Sequence, residues 1–276
     1  MDINALRDLM IRAFRGKAEV KCLIGEFDQA IANYQHIIKL SLVTDQSADD
    51  IVPETMISIG HIFSEGKSDY EKAEAATRKG LSIIHEKKQP CIFVTGLNVL
   101  GNISRHRGDF HKALEYFSRA LSIYAKLRDK SGIAISCNDL GNTNWNLGKF
   151  DQALICYKRS LAIYKNDGNK IGIGKVSGNI GLAYHGTGEL SKALHYFNES
   201  LLIKKEIGDK RGLGIVYGNI GTVFTNKGEI DKALTYYKKS LTISEEIGNK
   251  AGIATSYNNI GLVCFDKGDY DLALEY

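Results

Sequence analysis

The chain has 276 residues, 43% hydrophobic and 25% charged, with a formal net charge of +4. That is the make-up of an ordinary folded chain. Lys and Arg are interleaved with Asp and Glu, as in "KKSLTISEEIGNK", so no basic run is long enough to track a nucleic-acid backbone. No apolar run reaches the length of a bilayer span. The start, "MDINALRDLMIRAFRGKAEV", lacks the apolar core and small-residue cleavage site of a secretory signal. Five cysteines without a Cys-x-x-Cys pair point to reduced thiols, buried or half-buried, in a cytoplasmic protein.

Taken in chain order, the first predicted helix covers about 5–23. "GEFDQAIANYQHIIKL" is its partner, with Ala30 and Tyr34 in register with later units. Residues 42–52, "LVTDQSADDIV", read as a longer polar connection. The next unit, 52–89, has Gly60 in its first helix, and "SDYEKAEAATRKGLSI" matches the later "GDFHKALEYFSRALSI"; its inter-helix turn carries one extra residue. Pro90 opens the following unit. From there the chain repeats with a strict period of 40. Gly101, Gly141, Gly181, Gly221 and Gly261 form one column, and Gly108, Gly148, Gly188, Gly228 and Gly268 another. Ala113, Ala153, Ala193, Ala233 and Ala273 follow, each with Leu after it; Gly132, Gly172, Gly212 and Gly252 make a fourth column. Residues 171–210 and 211–250 agree at about half their positions, as tandem units do. The units run approximately 5–46, 52–89, 90–130, 131–170, 171–210 and 211–250, with a partial one at 251–276, in a single array over 1–276.

Each unit reads as two helices. Leu213, Val216, Tyr217, Ile220, Val223 and Phe224 recur at three- and four-residue steps, one apolar stripe on a helix. "NKGEI" breaks the pattern, and Gly228 ends the helix in a tight turn. Ile230, Ala233, Leu234, Tyr237, Leu241 and Ser244 mark the second stripe. No segment alternates as a strand does, so no sheet is expected. Gly221 stands inside a helix, where Gly costs about 1 kcal/mol relative to Ala. Close approach of a neighbouring helix explains it, with Tyr217 and Tyr237 filling the space beside it.

A small residue eight into the first helix, Gly at the turn, Ala early in the second helix, an aromatic four later and a small residue three after that recur together. In one unit these are Gly181, Gly188, Ala193, Phe197 and Ser200. The pattern resembles the tetratricopeptide repeat over nearly the whole chain. The period of 40 rather than 34 is similar to the repeats of kinesin light chains and spindle-orientation adaptors. The family's proline near the end of the second helix is absent; Lys205 and Glu245 stand there. The resemblance implies an all-α fold, a right-handed superhelical α-solenoid of antiparallel helix pairs. It also implies a concave groove, lined by first helices, that takes a partner peptide, helix or domain. An open solenoid needs capping at each end, and the chain stops at Tyr276, early in a second helix. The expectation is a cut from a longer protein, or self-association or continuation through this end.

"KIGIGKVSGNIG", from Lys170 to Gly181, poses the question of phosphate binding. Asn169 stands where a P-loop needs its first Gly, and Val176 follows the Lys; the Rossmann spacing fails at Ser177. The glycines belong to the repeat columns: Gly172 closes one unit and Gly174 opens the next helix. His106 and His111 straddle a turn with no ligand partner at metal spacing, and no catalytic motif is present. No enzyme activity, cofactor or metal is expected.

In the groove implied by the resemblance, one column reads Asn98, Asn138, Gly178, Gly218 and Asn258, and the next Val99, Asp139, Asn179, Asn219 and Asn259. Three residues beyond lie Asn102, Asn142, Leu182, Thr222 and Leu262; a turn further lie Arg105, Trp145, His185, Thr225 and Phe265. Asn is a mediocre helix former, so its recurrence needs a reason. An amide ladder holds a peptide backbone, or it bonds a neighbouring repeat. Trp145 is a binding anchor or packs between units. The candidate partner-binding residues are therefore Asn98, Asn102, Arg105, Asn138, Asp139, Asn142, Trp145, Asn179, His185, Asn219 and Asn259, with Gly178 and Gly218 leaving room for a bulky partner side chain. The function expected is a non-enzymatic protein-interaction scaffold, without nucleic-acid or membrane partners. The alternative is the sensor or regulatory part of a larger signalling enzyme or transcription regulator.

Overall fold

A computed structural model describes residues 3–42 and 48–276; every regular element among them is helical. The chain forms two compact units, Met1–Gly132 and Ile133–Tyr276. In the first, α1 (Ile3–Leu23) pairs with α2 (Phe27–Ser41), α3 (Ala48–His61) with α4 (Tyr70–Ile83), and α5 (Pro90–His106) with α6 (Phe110–Leu127). The second holds most of α7 (Lys130–Asn146), then α8 (Phe150–Asn166), α9 (Lys170–Gly186), α10 (Leu190–Glu206), α11 (Lys210–Asn226), α12 (Ile230–Glu246), α13 (Lys250–Lys267) and α14 (Tyr270–Glu275). Helices joined by three-residue turns and packed on each other are antiparallel hairpins. Among the described residues, no helix is long and apolar enough to cross a membrane.

The glycine columns have separate physical causes. A Cβ at Gly221 would stand 2.6 Å from the Tyr237 ring, and one at Gly141 2.5 Å from Tyr157; Gly101 and Gly181 meet Phe117 and Phe197 in the same way. The missing side chain lets an aromatic from the paired helix lie on the backbone. Gly228 instead adopts φ +73°, and Glu229 N–H donates to Phe224 O at 2.9 Å, closing the end of α11. A further column was not separated from the sequence. Gly168, Gly208 and Gly248 sit at φ of +65°, +71° and +65° at the turns between pairs, where the first unit has Arg128 at +55°. A non-glycine residue there costs about 1–2 kcal/mol.

Gly172 does not close a unit. Gly172 and Gly174 both lie inside α9, which begins at Lys170, because Asn169 caps the helix: its side chain accepts from Gly172 N–H at 2.9 Å. Asp209 caps α11 through Gly212 N–H at 2.8 Å. The small residue on the second helix does more than save space. Ser160, Ser200 and Ser240 donate to the carbonyls of Ala134, Gly174 and Gly214 at 2.8, 2.6 and 2.8 Å, tying second helix to first.

Two further expectations are corrected. The connection read over 42–52 is shorter, since α3 already begins at Ala48; residues 43–47 lie outside the described residues. Pro53 is the sixth residue of α3, past its first turn, so the helix forgoes one backbone hydrogen bond there. Cys91 is exposed, unlike Cys137 and Cys264, which are buried, and Cys22 and Cys156, which are half-buried. The extra residue of the 52–89 unit is absorbed by a π-helical turn, Ile62–Gly66, where Lys67 N–H reaches Ile62 O at 3.2 Å. One residue is thus taken up between Gly60 and Asp69, and both keep their places in the repeat.

Candidate partner-binding groove

In the first unit, Asn98, Asn102 and Arg105 fall at four- and three-residue steps on α5, so they share a face. Asn98 Nδ2 donates to the Tyr124 hydroxyl at 3.2 Å, and Arg105 donates to Asn102 Oδ1 at 3.2 Å. Asn98 Oδ1 and Arg105 Nε are buried without a partner among the described residues.

In the second unit the asparagines of α7 and α9 bond to one another. Asn179 Nδ2 donates to Asn138 Oδ1 at 2.9 Å and to Asn142 Oδ1 at 3.2 Å, so one amide bridges consecutive first helices. Asn138 is 3% exposed, and its own Nδ2 donates to Asp139 at 3.2 Å. Asn142 Oδ1 also accepts from the Tyr157 hydroxyl at 2.9 Å. These side chains are engaged across the repeat boundary, side chain to side chain. His185 pairs with Asn226 of the next first helix at 2.8 Å; burial lowers its pKa and favours the neutral ring. Trp145 is 39% exposed.

The third column follows the aromatic it stands over. Tyr157 has Asn142, and Tyr237 has Thr222, whose Oγ1 accepts from it at 3.2 Å. Phe197 carries no hydroxyl, and Leu182 stands in the matching place. A buried phenol needs a partner, and the repeat supplies one under both tyrosines. Asn102, above Phe117, serves Arg105 instead.

Between α11, α12 and α13 the arrangement changes. Asn219 and Asn259 line a hollow of about 300 Å³, with Gly214, Gly218 and Thr222 of α11 and Thr255 of α13. Neither side-chain amide makes a hydrogen bond within the described residues. A Cβ at Gly218 would lie 3.6 Å from Ser240 Oγ, ordinary contact, so the floor there is open rather than filled. Ser256 donates to Ser240, which donates to Gly214 O, so the wall behind the floor is already satisfied. Sequence reasoning did not find Thr255 or Ser240 as lining residues. The signal was present in Gly214 and Gly218, two small residues one turn apart.

Among the described residues, no group of His, Cys, Asp and Glu side chains could hold a metal ion. The site can offer amides, hydroxyls and a bare backbone to a ligand, chemistry suited to recognition.

A family model described as tetratricopeptide repeat matches residues 93–166, 134–206, 172–246 and 212–276. No curated protein matches. Among solved structures, the apo form of RapI superposes with a TM-score of 0.76 at 17% identity, covering 96% of this chain and 94% of that one. A Rap protein complexed with competence and sporulation factor gives 0.67 at 13% identity, covering 95% and 77%. Kinesin light chain-like repeats of Podosopora anserina give 0.58 at 12% identity, covering 72% and 98%. These likenesses show the fold. With the family model spanning residues 93 to 276 and the helix pairs repeating as described, the chain belongs to the tetratricopeptide repeat family.

Proposed function

We propose that this protein is a non-enzymatic interaction scaffold that holds a protein or peptide partner in the groove lined by its first helices. The observation that carries this reading is the hollow at α11–α13. Asn219 and Asn259 present unused amides beside an open backbone floor at Gly214 and Gly218. An amide in a helix interior costs stability relative to Ala, and these two recover none of it within the described chain. A Rap protein of similar fold was solved with competence and sporulation factor bound, which makes ligand capture the first activity to test. Interleaved charges favour a protein ligand over nucleic acid, and five free cysteines favour a reducing compartment such as the cytoplasm.

In this reading the peptide backbone lies against Asn219 and Asn259, and a bulky side chain enters over Gly218. Exposed Trp145 supplies apolar contact area further along the same unit. The test is capture of partners by wild type, Asn219→Ala/Asn259→Ala and Gly218→Leu. Loss of the same partners from both folded variants is expected. Unchanged recovery from both would overturn the assignment of the hollow.

A further inference from the structure

Consecutive repeats treat one surface position in opposite ways. In the α8–α10 region, Lys165 Nζ pairs with Glu199 at 2.6 Å, and Ser177 donates to the same carboxylate at 2.9 Å. The spot is closed by its own charges. Forty residues on, the three positions are Lys205, Lys239 and Tyr217. The acid has become a second lysine and the serine an aromatic ring. Lys205 Nζ lies 6.0 Å and Lys239 Nζ 5.8 Å from the Tyr217 ring centre; Lys239 is also 4.9 Å from that of Tyr236. Among the described residues, neither ammonium has a carboxylate within ion-pair distance. Glu206 and Glu246 are taken by Lys170 and Lys210.

Lys239 and Tyr217 line a shallow hollow of about 470 Å³ together with Thr235, Lys238, Thr242, Ile243 and Glu246, whose carboxylate is held by Lys210. It shares only Ile243 with the lining of the groove hollow. Two ammoniums facing one ring repel each other, and the ring's negative face offsets only part of that. A partner's carboxylate pairing with these ammoniums offsets the repulsion, as Glu199 pairs with Lys165 one repeat earlier.

We propose that Lys205, Lys239 and Tyr217 form a second docking surface, outside the groove hollow, for an acidic peptide segment. A Glu or Asp side chain seats between the two ammoniums, and an adjacent apolar side chain packs on Tyr217 and Ile243. The charge complementarity and the mixed lining select this occupant over a free inorganic anion, which would leave the apolar wall unused.

The experiment is fluorescence anisotropy of the full chain with a labelled peptide of glutamates flanking a phenylalanine, against the same peptide with glutamines. The Glu peptide is expected to bind about tenfold tighter, as one well-formed ion pair supports. Lys239→Glu copies the preceding repeat, pairs with Lys205, and is expected to abolish that preference with an unchanged or raised Tm. Lys205→Gln/Lys239→Gln is expected to do the same without adding an acid. Gly218→Leu is expected to leave the preference intact. Equal affinity for the two peptides, or wild-type binding by Lys239→Glu, overturns the proposal. So does tighter binding of a single-stranded oligonucleotide through the same lysines.

Discussion

The α7–α9 and α11–α13 stretches are built on the same 40-residue plan, yet they spend their asparagines differently. In the first, Asn138, Asn142 and Asn179 saturate one another across the repeat boundary. In the second, Asn219 and Asn259 stand apart over a glycine floor. The difference comes from the column before. Asn138 gives Asn179 a partner, whereas Gly218, in the place of Asn138, has no side chain to offer Asn259. One loss of a side chain therefore both opens the hollow and frees the amide beyond it. The lesson is that an Asn column has no single role; its neighbour in the next repeat decides whether it braces the array or faces a ligand.

That contrast can be broken by substitution. The largest effect is expected within α11, between two glycines three residues apart. Gly221→Ala drives a methyl into the Tyr237 ring and should cost about 2–3 kcal/mol, measured by urea denaturation. Gly218→Ala meets only ordinary contacts and should gain up to about 1 kcal/mol. If both variants shift stability in the same direction, the division between packing glycine and floor glycine is wrong.

Next in size is the amide bridge. Asn179→Ala leaves the buried Asn138 carbonyl oxygen without its donor and should cost about 1–3 kcal/mol. Asn219→Ala, forty residues on, should change stability by less than about 0.5 kcal/mol while weakening partner capture. Equal costs would erase the contrast between bracing and facing asparagines.

Arg128→Gly relieves a left-handed residue and should raise stability by about 1 kcal/mol, seen as a higher midpoint. The smallest expected effect is a pH dependence at His185. Burial lowers its folded-state pKa below the ordinary 6.5, so the unfolded chain binds the proton first. Stability is full above 6.5 and falls as pH drops below it. His185→Gln should flatten that slope in thermal melts at pH 5 to 7.

Helix pairs, the glycine that admits Phe197 or Tyr237, and the turn at Gly228 were legible because each recurs in register and has one backbone cause. The serine ties were not. Ser160, Ser200 and Ser240 read simply as small residues, and whether a hydroxyl reaches a carbonyl twenty-six residues back depends on how two helices lie together. The same limit hid the amide bridge, since a residue type does not reveal which way its side chain turns. Gly168, Gly208 and Gly248 were open to reading as a column but were masked by Arg128 heading it. At the groove, Gly178 and Gly218 looked equivalent. A Cβ would meet ordinary contact at both, 3.4 Å from Ser200 Oγ at Gly178 and 3.6 Å from Ser240 Oγ at Gly218; it is Gly218 that lines the α11–α13 hollow.

The π-helical turn at Ile62–Gly66 bears on how such a chain changes over time. A single inserted residue ordinarily rotates everything after it by about 100° about a helix axis. Here the insertion is swallowed within five residues, and Gly60 and Asp69 keep their places. Widening one turn isolates the error, so a repeat can change length by one codon without forcing compensating changes in its neighbours.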